Sequence, residues 1–192
     1  MPRIVVALQV DFADWEPALL MAAARYYLGC EVLTASPDGA PVISMGGLKV
    51  APDIGFAEID PARFDALVIP GGYAWEKGQA FDFTALATGF RAENKVVAGI
   101  CAAASALAAT GVLNDVAHTG NSLASHQRYP AYKGTALYRD QPQAVSDGRI
   151  VTAAGSAPDT FAEAVLKALD LWTPEAEAEL SAFSAEHRVA RA

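Results

Sequence analysis

The sequence predicts an α/β protein: a doubly wound, mostly parallel sheet sandwiched between helices. Three observations carry that expectation. Apolar runs of strand length alternate along the chain with segments of helical spacing, as strand–helix–strand crossovers require. The strand candidates are continuous apolar runs, which marks strands buried on both faces. Of the 192 residues, 53% are hydrophobic and only 19% charged, which is ample material for a core covered on two sides. A domain of roughly 100–200 residues is the usual unit, so residues 1–192 are expected to form one domain, with 174–192 as a closing helix and tail.

The elements follow in order. Residues 4–10 are the first strand, and 14–27 turn to helical spacing through Leu19, Leu20, Ala23, Tyr26 and Tyr27, with Asp14 as N-cap and Gly29 as C′ residue. Residues 31–35 form a second strand, while 42–45 and 48–51 flank Gly46-Gly47 as a small hairpin. A buried strand over 64–69 ends abruptly in Pro70-Gly71-Gly72, and a helix over 82–92 leads to the strand 96–100. A helix then runs from Ala102 to about residue 109, stopped by Gly111. Beyond it the pattern loosens: 116–118 read as a strand end and 119–130 as a loop or short helix. Residues 144–145 and 150–153 bracket Asp147-Gly148 as a second hairpin. Residues 161–169 are an amphipathic helix, and Pro174 opens a last one. No internal repeat, low-complexity stretch or interdomain linker interrupts the pattern.

Charge and cysteine usage narrow the function classes. The formal net charge is −8 and the lysines and arginines are scattered singly, so a phosphate backbone is repelled and no nucleic-acid partner is expected. The first apolar run is too short for a signal peptide or a membrane span, so no membrane partner is expected either. Cys30 and Cys101 form neither a disulfide framework nor a C-x-x-C motif, which fits a reducing, cytoplasmic setting. No histidine–carboxylate–cysteine grouping has metal-ligand spacing, and no phosphate-binding glycine motif follows a strand. Neither metal nor cofactor is expected.

Sites on doubly wound sheets lie at the carboxyl ends of the strands, and three such ends carry suggestive residues. In Gly99-Ile100-Cys101-Ala102-Ala103, small residues flank a cysteine between a strand and a helix, the requirement for a sharp nucleophile turn. The positive pole of the helix starting at Ala102 favours thiolate there; the plainer alternative is a buried structural cysteine. In Pro70-Gly71-Gly72 the glycines let a backbone amide approach a reacting atom, as an oxyanion donor must, although an ordinary turn would read the same. In Asp14-Trp15-Glu16, Glu16 either complements the helix dipole or leans over the strand ends to meet Cys101, where its pKa would rise and the two would share a proton. His118, at another strand end, is an acid–base candidate or a structural histidine. His126 and His187 read as solvated, Cys30 as core, and Tyr26, Tyr27 and the Trp172 region as packing or interface residues.

Taken together, the cysteine turn, the Pro70-Gly71-Gly72 loop and the Asp14-Trp15-Glu16 helix start resemble the ThiJ/PfpI superfamily, of the flavodoxin-like, class I glutamine amidotransferase-like fold, over about residues 3–170. The stretch from His118 to Leu123 is similar to a bacterial subgroup labelled intracellular protease, amidase or amidotransferase, and Asp147 to Pro158 is similar to the family's last hairpin and turn. The resemblance implies Cys101 as reactive thiol, Glu16 as the acid bonded to it, the Gly72 and Ala102 amides as an oxyanion hole, His118 as a nearby histidine, and a homodimer. Two departures count against inherited labels. Ala102 stands where the protease branch carries histidine, and no late H-x-E pair completes an amidotransferase triad.

The function expected is a cysteine-dependent enzyme acting on a small electrophile, glyoxalase- or deglycase-like or amidase- or hydratase-like. Its pocket would draw on Trp15, Tyr73, Trp75 and the Asn121 loop. The alternatives are a redox sensor or stress-response binding protein without turnover, or an amidotransferase-like subunit completed by a partner.

Overall fold

A computed structural model describes residues 1–183 of the chain. The strands are β1 (Arg3–Ala7), β2 (Glu31–Ser36), β3 (Val42–Ile43), β4 (Lys49–Val50), β5 (Ile54–Gly55), β6 (Ala66–Ile69), β7 (Val96–Ile100), β8 (Val145–Asp147) and β9 (Ile150–Ala153). The helices are α1 (Trp15–Ala22), α2 (Tyr73–Glu76), α3 (Thr84–Ala92), α4 (Ala102–Thr110), α5 (Leu123–Gln127), α6 (Pro158–Ala168) and α7 (Pro174–Leu180). Seven strands form one sheet in the order β5-β2-β1-β6-β7-β9-β8, parallel throughout except for β8 against β9, while β3 and β4 pair separately as an antiparallel hairpin.

Strand alternation divides the core into two layers. Ile4, Val6, Val68, Ala98 and Ile100 face α1 and α6, where they meet Leu20, Phe161, Val165 and Leu166. Val5, Leu67, Ile69 and Val97 face the other way, toward Phe90 of α3 and Leu107 of α4. Every residue of β6 and β7 is buried, so these strands read as unbroken apolar runs.

The chain departs from the expected elements where side chains far apart in sequence take over. The first strand leaves the ladder after Ala7, because Asp11 adopts φ +57° and Phe12 bridges to Gly72 across the end of β6. The helix that follows is regular only to Ala22; Ala23–Tyr27 widen into a π turn, closed by the Leu28 N–H on the Ala23 carbonyl, and Gly29 ends it at φ +66°. Asp14 occupies the N-cap position of α1, as expected, but its side chain makes no cap hydrogen bond. Its carboxylate instead accepts from Ser44 Oγ at 2.6 Å and Gly46 N at 3.0 Å, pinning the β3–β4 hairpin to the helix start. Cys30 is buried, as expected, whereas Tyr26 and Tyr27 are exposed and pack edge-on against each other. His187 lies outside the described residues. Among those described, no helix is long and apolar enough to cross a membrane.

β1 sends the chain to β2 on one side, while β6 pairs on its other side, so the topology switches between β1 and β6. At such a switch the loops diverge and leave a crevice over the strand ends. Beside that crevice the loops after β1, β6, β7 and β9 come into contact through Glu16, Gly71, Cys101 and Gly155.

Candidate active site

Cys101 sits between the last residue of β7 and the first of α4. Its amide donates to the Ala153 carbonyl at 2.9 Å, while its backbone turns through φ +62°, ψ −126°. A side-chain-bearing residue held there costs about 1–3 kcal/mol, and the fixed strand and helix on either side enforce it. The small neighbours are required. A Cβ on Gly99 would come within 2.7 Å of Leu107 Cδ1, and one on Gly71 within 2.7 Å of Cys101 Cβ.

Glu16, in the first turn of α1, reaches the same point and is fully buried. Its Oε2 accepts from Gly71 N at 2.6 Å. Its Oε1 makes no hydrogen bond of regular geometry and borders the sulfur: a Cβ on Gly155 would lie 2.8 Å from Cys101 Sγ and 3.1 Å from Oε1. Burial pushes the Glu16 carboxyl up from 4.5 to about 7, against the Gly71 amide and the Cys101 thiol, which hold it down. Burial first, and then the Glu16 charge, raise the thiol, opposed by donors from Asn121 and the Ala102 amide. Two negative charges are disfavoured in so dry a space, so the pair holds one proton near neutrality. The direction at sulfur is therefore opposite to that expected from the α4 pole alone, because burial and Glu16 outweigh it.

Gly155, in the turn after β9, closes the third side. Its N–H donates to Asn121 Oδ1 at 3.0 Å, and its carbonyl accepts from Trp15 Nε1 at 3.1 Å. Asn121 Nδ2 lies 3.4 Å from Cys101 Sγ. Trp15 and Asn121, expected to line a pocket, thus lie at the sulfur's rim. Tyr73 is exposed at the start of α2, beside the Gly72 loop, whereas Trp75 turns inward against Phe83, with ring centroids 5.8 Å apart.

Gly72 adopts φ +144°, where a Cβ would strike the Asp11 carbonyl. The bridge to Phe12 is made by Ala13 N on the Gly71 carbonyl and Tyr73 N on the Asp11 carbonyl, both at 3.1 Å, and so does not use the Gly72 N–H. The Gly71 amide is engaged by Glu16, and the Ala102 amide is a donor at the sulfur.

The structure does not bring His118 to Cys101. The ring is fully buried, with Nδ1 at 2.8 Å from the Val116 carbonyl and Nε2 at 2.7 Å from Tyr132 Oη. A carbonyl can only accept, so Nδ1 carries the proton and Nε2 accepts from the tyrosine. Both nitrogens are engaged, and burial lowers the ring's pKa. The expectation of a solvated His126 is likewise corrected: α5 folds over α4 and buries the ring completely, stacked on His118 at 5.6 Å with Nδ1 at 3.4 Å from the Ser105 and Ser125 hydroxyls. Burial, and then the neighbouring His118, bring its pKa down to about 4.

Two site residues escaped sequence reasoning. Gly71, to which no separate role was assigned, binds the Glu16 carboxylate, and Gly155 covers the pair. Gly155 follows a strand and precedes a helix, the same signal that singled out Pro70-Gly71-Gly72. The arrangement puts a thiol and a carboxyl close enough to exchange a proton. Among the described residues, no group of three or more histidines, cysteines or carboxylates is placed to hold a metal ion.

The chain is similar to known proteins, in some cases over nearly its whole length. The model of the DJ-1/PfpI family matches residues 2–168. The crystal structure of DJ-1 superfamily protein Atu0886 from Agrobacterium tumefaciens is 67% identical, with a TM-score of 0.95 over 97% of this chain and 100% of that one. The uncharacterized protease YdeA of Bacillus subtilis is 36% identical over 166 residues, 86% of this chain and 82% of its own. A deglycase of Pyrococcus abyssi is 38% identical over 86 residues only, 44% of this chain and 52% of its own. By its sequence match and its mostly parallel seven-stranded sheet, the chain belongs to the DJ-1/PfpI family.

Proposed function

We propose that this protein is a cysteine-dependent enzyme that attacks a small electrophile with Cys101, by a glyoxalase- or deglycase-like route or an amidase- or hydratase-like one. The observation that carries the reading is the buried Glu16 carboxyl, anchored on Gly71 N and bordering a thiol held in a strained turn at the end of β7. A carbonyl carbon entering past Trp15 and Tyr73 meets the sulfur. The S–C bond forms as the thiol proton passes to Glu16 Oε1, and the C=O electron pair moves onto oxygen between the Gly72 and Ala102 amides. Glu16 then returns the proton to that oxygen, giving a hemithioacetal with its protons balanced. An amide or isonitrile carbon would be attacked by the same parts. His118 takes no step, because both its nitrogens are engaged. A classical protease triad has no place in this reading, since Ala102 follows the nucleophile. Exposed Tyr26, Tyr27, Ile43 and Leu48 supply apolar area for the homodimer included in the proposal.

The test is consumption of methylglyoxal, small amides and an isonitrile by the wild type, Cys101→Ala and Glu16→Gln. Turnover of at least one class should vanish with Cys101→Ala and fall about 10²–10⁴-fold with Glu16→Gln, the usual weight of a positioned acid–base group. No turnover of any class, with slow stoichiometric oxidation of Cys101 by peroxide, would favour the sensor reading instead.

A further inference from the structure

We propose that Asn121 is a further catalytic residue, whose side-chain amide donates a hydrogen bond to the Cys101 sulfur and strengthens it as the sulfur becomes negative. The inference rests on the reading of Cys101 as nucleophile.

The orientation of the amide is fixed chemically. The Gly155 N–H, 3.0 Å away, can only donate, so the atom facing it must be Oδ1. The NH₂ group is then directed at Sγ, at 3.4 Å, an ordinary separation for an acceptor as large as sulfur. A rotated amide would set two donors against each other at Gly155 and aim an oxygen lone pair at the sulfur.

The loop that carries Asn121 is held on every side. Thr119 N donates to Thr152 Oγ1 at 2.8 Å, Tyr138 Oη to the Gly120 carbonyl at 3.2 Å, and Ser125 N to Ser122 Oγ at 3.2 Å. The buried His126 ring lies so close beneath Gly120 that no Cβ would fit there. This loop is a built support, and an amide aimed in advance at developing charge loses nothing in reorganisation when the charge arrives. A neutral donor binds thiolate better than thiol, so the contact grows along the reaction and raises turnover rather than ground-state affinity alone. It also offsets the two influences that keep the sulfur protonated, burial and the Glu16 charge.

Two substitutions separate donation from mere support. Asn121→Asp keeps an oxygen for the Gly155 N–H but loses the donor. Asn121→Leu loses both without adding charge. The readout is the rate of iodoacetamide alkylation of Cys101 against pH, with peptide mapping to distinguish Cys30. Both variants should move the alkylation midpoint upward by about one pH unit, a tenfold slower reaction at neutral pH. A shift in Asn121→Leu alone would make Asn121 a support for Gly155, and a shift in Asn121→Asp alone would be a charge effect; either overturns the proposal, as do unmoved midpoints in both. If wild-type Cys101 itself resists alkylation, the nucleophile reading fails, and this outcome is distinct from the others.

Discussion

Replacing Glu16 by glutamine isolates the energetic consequence of placing a carboxyl in the dry space beside Cys101. The amide is isosteric, can accept the Gly71 N–H, and carries no charge at any pH. In the wild type the carboxyl is raised from 4.5 to about 7. For a group whose folded pKa is raised, the stabilisation is fully present below the unfolded value and is lost as pH rises through the folded one. Between pH 4.5 and 7 the unfolded chain therefore releases a proton that the folded chain still holds. Moving a carboxyl from 4.5 to about 7 is worth about 3 kcal/mol. Glu16→Gln should match the wild type near pH 4 and become more stable than it by about 3 kcal/mol at pH 8, while losing turnover. Urea unfolding of both proteins at half-unit pH steps reads the gap, because every titrating group other than Glu16 and its partner Cys101 is common to the two. A gap that stays constant, or that closes as pH rises, would refute the raised Glu16 pKa and the shared proton with it.

Other outcomes follow from the same geometry. Gly155→Ala places a methyl 2.8 Å from Cys101 Sγ and 3.1 Å from Glu16 Oε1; it should cost about 1–3 kcal/mol in denaturant unfolding and slow Cys101 alkylation at least about tenfold, and wild-type values for both would contradict the cover it is assigned. His126 has its pKa lowered from 6.5 to about 4, so it favours the fold above pH 6.5 and that contribution is lost as pH falls through about 4. His126→Phe should therefore show a flatter loss of stability between pH 7 and 4 than the wild type, read by denaturant unfolding at the two pH values, and parallel curves would count against the buried neutral ring.

Much of this was legible in the sequence because the determinants are local. β6 and β7 are buried on both faces, so their apolar runs mark them without ambiguity. The cysteine turn is legible because a strained strand-to-helix junction admits only small residues around it, and Gly99, Ala102 and Ala103 satisfy that. Glu16 could be placed in the first turn of α1, but its dipole role and its role at sulfur predict the same position; the Gly71 amide, brought from the end of another strand, decides between them. What the sequence hid depends on contacts between distant segments. Asp14 has the chemistry of an N-cap, yet Ser44 and Gly46 of the hairpin take its carboxylate. His126 has the surroundings of a loop residue, yet α5 folds it onto Ser105 of α4. The thiol shift runs against the local signal because the helix pole lies beside Cys101 in sequence, whereas Glu16 and the burial that dominate it do not.

The nucleophile itself is tested most directly by protection. In a Cys30→Ser chain, methylglyoxal at rising concentration should slow iodoacetamide alkylation of Cys101 saturably, because the hemithioacetal occupies the sulfur, and Glu16→Gln should weaken that protection. Alkylation of Cys101 that is unaffected by any carbonyl concentration, in a protein that otherwise keeps its fold, would contradict covalent attack by this thiol.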